Sequence, residues 1–493
     1  MMDPQNIVRQ MLGIDTLRRQ ALISFGVNIG ITVVGYLATV YIAHAAGAEV
    51  LGSYYLFLAY YSLATLGADG GMGGAAVKLI SENRDQDAYF TAQAVIRLVL
   101  LAICTGFIVI LLSPFMRDFT AAGLLPWLLL ALVAGSLGGI ISTGIYGGGS
   151  VGVLQVSEFM STVVRVVVQV VAVFAGFAMA GMAGGFVAGI CAGVAVNSHF
   201  LRFHAALFGW RHVRTMLPYA TWGFFTALAG VLAIYADIVL VGYFLDSTEV
   251  GFYRAPLQLA ALALFVSTSL STSLFPRISR WKEEHETESI RHAAARALSY
   301  SLILALPLVT GGLILGERLL YFLYGSPFVV ATAAFSLILV AQVSMVFFSL
   351  DTMVLGALGQ PGKVFLVNAV SAMILVVLEL VMIPTYGITG AAAALLLSCV
   401  ARAAGARWYL SRHMHIGVET RVVGNILAAA AVMAIVVVLI RMIVPVFHVA
   451  ILVLVILAGA LTFFLIFFRL ERDIRDEIAE LFIHLSLPWP SWI

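Results

Sequence analysis

Apolar stretches long enough to cross a lipid bilayer recur along almost the whole of this 493-residue chain, and they restrict its fold more than any other feature. A helix needs about 20 apolar residues to cross a hydrocarbon core of roughly 30 Å, and we count about fourteen such stretches. With 62% hydrophobic and only 11% charged residues, a soluble globule of this length would lack polar surface. The chain is therefore predicted to be an integral membrane protein.

The spanning segments are predicted to be α-helices. Backbone groups in lipid must be hydrogen-bonded within a helix or a closed barrel, and these stretches lack the alternation of barrel strands. The predicted fold class is all-α integral membrane, with about 14 transmembrane helices. The three cysteines fall inside predicted spans, which does not favour a disulfide framework.

The Lys and Arg residues predict how the chain is oriented. Most of them fall in alternate connecting segments, as expected when those segments are cytoplasmic. We therefore expect a multi-pass protein of the cell (plasma) membrane with both termini in the cytoplasm. The few arginines then assigned to the outer ends of spans are Arg117, Arg254, Arg318 and Arg441.

Several short stretches occur twice, in the same order and about 200 to 210 residues apart, which indicates an internal duplication. The first pair is placed in the outer connections that follow the first and the seventh predicted spans. An offset of six helices keeps the same orientation, so the halves are predicted to be related by an axis along the membrane normal. The matched pairs are EVLGSYYLFLA with EVGFYRAPLQL from Glu49 and Glu249, Gly149-Ser-Val-Gly152 with Gly359-Gln-Pro-Gly362, and Gly181-Met-Ala-Gly184 with Gly387-Ile-Thr-Gly390.

The duplication predicts two pseudo-symmetric six-helix lobes plus a C-terminal helix pair. The predicted parts are an N-terminal lobe over 1–200, a cytoplasmic linker over 201–216, a C-terminal lobe over 217–411, two extra helices over 412–469, and an amphipathic cytoplasmic tail over 470–493.

Three segments of the second lobe carry a family resemblance. They are Ala236-Asp-Ile-Val-Leu-Val-Gly-Tyr-Phe-Leu, Glu249-Val-Gly-Phe-Tyr, and a Ser/Thr-rich stretch that ends Leu274-Phe-Pro-Arg-Ile-Ser279. With these segments the chain resembles the polysaccharide biosynthesis flippases, the Wzx-type lipid-linked oligosaccharide exporters of the multidrug/oligosaccharidyl-lipid/polysaccharide superfamily. The resemblance implies two six-helix bundles around a central cavity, which move a polyprenyl-phosphate-linked sugar from the inner to the outer leaflet.

Two other functions stay open. An ion-coupled exporter of drugs or small cations from the same superfamily would need a net acidic cavity. A membrane-bound sugar polymerase or ligase would need a catalytic outer loop, and every predicted outer loop is short, so no enzymatic activity is expected. The chain has no Gly-x-x-x-x-Gly-Lys-Ser/Thr loop with which to bind ATP.

For cofactors and partners, we expect no cofactor or metal, with transport coupled to H+ or Na+. The expected partners are a lipid-linked oligosaccharide, membrane lipids and the enzymes that assemble envelope glycans, but no nucleic acid. The protein is expected to be a monomer.

The fifth predicted span carries a stripe of polar residues. Gln155, Glu158, Thr162, Arg165 and Gln169 are spaced by three or four residues, so they lie on one face of a helix. This face is predicted to line the transport cavity, where Arg165 would bind a diphosphate as a bidentate donor. Alternatively, Glu158 or an acid on another helix neutralises Arg165 as a structural pair.

Other ionisable residues fall inside predicted spans, where their burial is expensive. Asp69, Asp237 and Asp351 are candidates for binding the coupling H+ or Na+, and each is also a candidate to neutralise an arginine. Arg97 and Arg254 either line the cavity or snorkel toward the headgroups.

Overall fold

The structure is a computed structural model, and it describes residues 16–82, 84–112, 119–120, 122–417, 419–472 and 474–476, without the side chains of 16–33 and 111–112. Most of the predicted tail over 470–493, and Arg117, lie outside the described residues. The helices are α1 and α2 within Thr16–Asp69, divided at Gly47; α3, Met72–Ser81; α4, Gln86–Phe107; α5, Leu125–Gly147; α6, Val151–Phe174; α7, Ala178–Phe200; α8, Trp210–Phe244; α9, Ser247–Ala260; α10, Phe265–Glu283; α11, Thr287–Tyr324; α12, Thr332–Ala357; α13 and α14 within Pro361–Ser411, divided at Gly387; α15, Thr420–Ile443; and α16, Val449–Leu470.

The fold class is confirmed. Twelve continuous helical stretches of the described residues are long and apolar enough to cross a membrane. Two of them contain a glycine with non-helical backbone angles, Gly47 (φ 83°) and Gly387 (φ 57°), and each is therefore two helices. These breaks bring the number of spans to the fourteen predicted. They lie between the spans that the sequence predicts over 21–46 and 51–77, and between those over 363–384 and 388–411.

The chain forms two compact units, residues Met1–Leu232 and Ala233–Ile493. Their boundary falls inside α8, which begins at Trp210. The linker predicted over 201–216 is therefore extended only as far as residue 209, and its second half is already helical. In this extended part Phe203 stacks on Phe90 of α4 at 5.5 Å, and the His204 backbone N–H donates to the Asp87 carboxylate.

In the first unit, glycines allow α7 to pack closely on α6. Gly185, Gly189 and Gly193 lie four residues apart on the face of α7 that contacts α6. A Cβ atom added at Gly189 would lie 2.7 Å from the Ser161 carbonyl oxygen and 2.8 Å from the Arg165 Cβ. Small residues at this spacing let helix backbones approach each other in lipid, where van der Waals packing and hydrogen bonds drive association.

Corresponding turns in the two units have the same geometry, which supports the duplication. The turn between α5 and α6 places Gly149 at φ 78°, and the turn between α12 and α13 places Gly359 at φ 77°. In each turn the residue after the glycine donates its backbone N–H to a carbonyl five residues earlier, Ser150 to Ile145 and Gln360 to Leu355. A left-handed φ favours glycine, so both copies keep it.

The first repeated stretch lies in helices and not in loops. EVLGSYYLFLA belongs to the first turns of α2, and EVGFYRAPLQL belongs to α9. Gly52 and Gly251 are helical, and neither makes a turn. The change of chain direction comes earlier, at Gly47 in the first unit and at Asp246 in the second, whose side chain accepts from the Glu249 backbone N–H and caps α9.

The second unit contains the extra helix pair. The side chains of α15 and α16 join α11 and α12 in one apolar core, which includes the fully buried Ile426, Phe463 and Phe467. Between α11, α15 and α16 lies an apolar cavity of about 390 Å³, whose lining includes Pro307 and Met433.

The α6–α7 contact predicts the effect of adding one methyl group. Gly189→Ala is expected to destabilise the protein by about 1 to 3 kcal/mol, the usual cost of overpacking, because the new Cβ meets the α6 backbone. The measurement is the apparent unfolding temperature of the detergent-solubilised protein. Gly106→Ala in α4 is the matched control, since a Cβ there contacts nothing within 4 Å. An equal melting temperature for the two variants would contradict the prediction.

Candidate functional site

The predicted polar stripe on α6 is divided between two environments. Gln155 and Glu158 are exposed, Arg165 is half-buried, and Thr162 and Gln169 are buried. Of the two buried residues, Gln169 packs on α7, where it donates to the Met182 carbonyl and lies beside Gly185. The part of the stripe that remains open to a ligand therefore consists of Gln155, Glu158 and Arg165.

Arg165 forms neither an ion pair nor a hydrogen bond with any of the residues that the structure describes. It lies past the middle of the 24-residue α6, where a cation without a counter-charge is costly. Glu158 lies seven residues earlier on the same helix, about 10 Å away along the axis, and is not its partner. The alternative hypothesis, that an acid of the chain neutralises Arg165, therefore finds no such acid among the described residues.

Arg97 is buried and paired instead of snorkelling to the membrane surface. Its Nη1 atom lies 2.6 Å from Oδ1 of Asp69, and the Arg97 and Asp69 side chains are only 7% and 22% exposed. Asp69 ends α2, directly before the left-handed Gly70 and Gly71. Gly139 of α5 makes room for the guanidinium, because a Cβ there would overlap it. Asp69 thus neutralises Arg97 within the first unit.

A second cluster of ionisable groups lies in the second unit. Asp237 of α8 is 5% exposed, interacts electrostatically with Arg254 of α9, and accepts the Ile238 backbone N–H at 2.8 Å. Tyr253 is fully buried beside Asp237, and its hydroxyl interacts with Asp237 without meeting the distance and angle limits of a hydrogen bond. Glu379 of α13 is also fully buried and interacts electrostatically with Asp237.

Glu379 belongs to this cluster, although it was not among the site residues predicted from the sequence. Within the described residues, neither of its carboxylate oxygens has a hydrogen-bond partner. At the offset of the duplicated turns it corresponds to Gln169, whose Nε2 donates to the Met182 carbonyl at 2.9 Å. The signal was therefore present in the sequence: the same helical position carries a satisfied amide in one unit and an acid in the other.

Asp351 has a local partner. Its Oδ2 atom accepts from Nε of Arg407 at 2.9 Å, and Arg407 also donates to the Ile416 carbonyl. This pair ties α12 to α14 and to the segment that follows α14. The described residues contain no group of three or more His, Cys, Asp or Glu side chains that could hold a metal ion.

Two solved structures share the fold of this chain. Lipid II flippase MurJ, in an inward closed conformation, matches with a TM-score of 0.76 at 16% identity, over 91% of this chain and 99% of that chain. A multidrug resistance MATE family transporter of the MOP superfamily, facing inward, matches with a TM-score of 0.60 at 12% identity, over 78% of this chain and 94% of that chain. The chain therefore has the all-α multi-pass fold found in these transporters.

The family follows from the sequence match. Residues 47–333 match the family described as polysaccharide biosynthesis protein, and the chain belongs to that family. The resemblance drawn from the segments beginning at Ala236 and Glu249 is thereby confirmed.

Two curated relatives from Haloferax volcanii are similar over most of their length. The probable low-salt glycan biosynthesis flippase Agl15 is 22% identical over 85% of this chain and 88% of its own. The probable flippase AglR is 25% identical over 94% of this chain and 98% of its own. The similarity thus includes both units.

The Asp69–Arg97 pair predicts a large effect of removing one partner. Asp69→Asn is expected to destabilise the protein by about 3 to 5 kcal/mol, because it leaves a buried cation unpaired. The double variant Asp69→Asn, Arg97→Gln is expected to recover part of that loss. The measurement is the apparent unfolding temperature of the purified variants.

The exposed pair Asp85–Arg211 supplies the control for this prediction. Asp85→Asn is expected to change the unfolding temperature little, because exposed ion pairs contribute little to stability. Equal effects of Asp69→Asn and Asp85→Asn would contradict the structural role of the Asp69–Arg97 pair.

Proposed function

We propose that this protein is a membrane transporter that flips a polyprenyl-(di)phosphate-linked oligosaccharide from the cytoplasmic to the outer leaflet, for the assembly of cell-surface polysaccharide or glycan. Membership of the polysaccharide biosynthesis family supports the proposal. So do two relatives named as flippases, which match over nearly the full chain. Transport would proceed by alternating access of the two predicted lobes.

We propose that Arg165 binds the diphosphate of the cargo, because its guanidinium is unpaired among the described residues. A cation within a span needs a counter-charge, and a diphosphate supplies one together with several acceptor oxygens. An arginine binds such a group through parallel N–H donors. Gln155 and Glu158 are exposed on the same face and can hydrogen-bond sugar hydroxyls next to the diphosphate. Arg97 and Arg254, which interact with acids of the chain, are less suited to bind the cargo.

Replacing Arg165 tests this role directly. Arg165→Gln is expected to lower the transport rate at least about tenfold, since a charge-assisted hydrogen bond is worth about 1.5 to 3 kcal/mol. The measurement is transbilayer movement of a fluorescent polyprenyl-diphosphate oligosaccharide in liposomes that contain the purified protein. Arg211→Gln is the control, because Arg211 is exposed and pairs with Asp85.

The same liposomes separate the proposal from its alternative. Undiminished transport by Arg165→Gln would remove Arg165 from the site. If the wild type moves no lipid-linked sugar but takes up cationic dyes under an ion gradient, the drug-exporter function replaces the flippase function.

The orientation belongs to the proposal as well. We place the protein in the cell membrane with both termini in the cytoplasm, so that the turns at Gly149 and Gly359 face the cytoplasm. The distribution of Lys and Arg supports this placement. Enzymes of envelope glycan assembly would supply and receive the cargo, and a single chain would be the working unit.

We further propose that Asp237 and Glu379 bind the ion that drives transport, H+ or Na+. An ionised carboxylate that is buried without hydrogen bonds is expensive, so Glu379 needs either a proton or a bound cation. Asp237 interacts electrostatically with Glu379, and a bound proton or cation would reduce the repulsion between the two carboxylates. Asp69 and Asp351 are less suited to this role, since each already forms an ion pair with an arginine.

Glu379→Gln tests the coupling. The amide neither titrates nor holds a charge, so transport by this variant is expected to lose its dependence on an H+ or Na+ gradient. The measurement is the ratio of transport rates with and without each gradient. Glu288→Gln is the control, because Glu288 is exposed and pairs with Arg291 at 2.9 Å. A gradient dependence that survives in Glu379→Gln would contradict this assignment.

A further inference from the structure

Arg402 of α14 is a second cation inside a span that lacks a counter-charge. It lies nine residues before the last residue of its helix, Ser411, or about 13 Å along the axis. Among the described residues it forms no ion pair with a carboxylate, and its Nε atom is enclosed without a hydrogen-bond partner. The Lys and Arg pattern of the sequence counts Arg402 among the cytoplasmic cations, although the residue lies inside the span predicted over 388–411.

The side chain of Arg402 packs against the interior of a neighbouring helix. Its guanidinium carbon lies 4.7 Å from the ring centre of Phe348, and Nη1 lies 4.0 Å from the Met345 sulfur. Phe348 and Met345 lie nine and twelve residues before the last residue of α12, so Arg402 does not contact the end of that helix. Side chains on a helix point toward its N-terminus, which for Arg402 is away from the nearer end of α14.

Arg407, on the same helix, shows what a structural arginine looks like in this unit. It also lies near an aromatic ring, Phe347, at 5.8 Å. It donates, however, to the Asp351 carboxylate at 2.9 Å and to the Ile416 carbonyl at 3.1 Å. Arg402 has only an aromatic face and a thioether, which is a weak acceptor. A half-buried guanidinium held in this way keeps its positive charge available to a ligand.

We infer that Arg402, held by Phe348 and Met345, binds a phosphoryl group of a membrane lipid. Phe348 contacts the guanidinium without neutralising it, and the Nη2 atom donates to none of the described residues. The positive charge and this donor therefore remain for a phosphate oxygen. This chemistry is shared by the diphosphate of the lipid-linked cargo and by the headgroup of an anionic bilayer lipid. The assignment to the cargo rests on the proposed function, and binding of the phosphoryl group does not.

The first test uses the purified full-length protein in phosphatidylcholine nanodiscs, with inorganic pyrophosphate and farnesyl diphosphate as probes. Arg402→Gln is expected to bind both probes at least about tenfold more weakly than the wild type. The control is Arg412→Gln, because Arg412 also stacks on an aromatic ring, Trp408 at 3.7 Å, but is exposed at the end of α14. Arg412→Gln is expected to bind like the wild type, and equal binding by all three proteins would overturn the inference.

A second measurement separates a ligand site from a structural role. Without any added anion, Arg402→Met is expected to melt at or above the wild-type temperature, because it removes an uncompensated buried cation. Pyrophosphate is expected to raise the melting temperature of the wild type but not that of Arg402→Met. A lower melting temperature for Arg402→Met without anion, together with an unchanged pyrophosphate effect, would overturn the inference.

Two arms identify the source of the phosphoryl group. If a bilayer lipid fills the site, phosphatidylglycerol in the nanodiscs is expected to raise the melting temperature of the wild type more than that of Arg402→Gln. It is also expected to prevent pyrophosphate from binding to the wild type. Tighter binding of farnesyl diphosphate than of pyrophosphate, undiminished by phosphatidylglycerol, assigns the site to the cargo. If the wild type flips no sugar lipid but still binds pyrophosphate through Arg402, the proposed function fails and the phosphoryl site stands.

Discussion

The structure depends on the cost of placing charge in an apolar medium. The long apolar helices leave few places for ionisable side chains, and those present are mostly matched to a partner on a neighbouring helix. Such ion pairs in the described residues include Asp69 with Arg97 and Asp351 with Arg407. Arg165, Arg402 and Glu379 are at least half enclosed and lack such a match. These are the positions at which we propose that a phosphate or a cation from outside the chain supplies the missing counter-charge.

Much of the fold was predictable because it follows from local properties of the sequence. Span number and helix type depend on hydropathy and on backbone hydrogen bonding, and the breaks at Gly47 and Gly387 lie between predicted spans. The start of α8 at Trp210 and the helical state of EVGFYRAPLQL were not predicted. Both errors arose where polar or glycine residues interrupt an apolar run. Such residues resemble a loop in the sequence, although a helix can continue through them.

The site was less predictable, because pairing is a property of tertiary contacts. Helical periodicity placed Arg165 on a polar face, but it could not tell that Gln169 on the same face packs on α7. The pairing of Arg97 with Asp69 joins residues 28 positions apart, and no local pattern contains it. Arg402 was assigned to a surface because the charge rule counts residues near helix ends and carries no information on the direction in which a side chain points.

The two turns at Gly149 and Gly359 indicate how the unequal halves arose. If the halves descend from one ancestral gene with six spans, two identical copies of its product would have carried the same residue at equivalent positions. In such a pair, an acid at the position of Gln169 and Glu379 would be present in both copies. Both copies would then lose the amide hydrogen bond that Gln169 makes between α6 and α7. Fusion into a single gene removes that obligation. One half is then free to keep the amide of Gln169, which hydrogen-bonds the neighbouring helix. The other half can carry Glu379 at the same position, the acid for which we propose a role in transport.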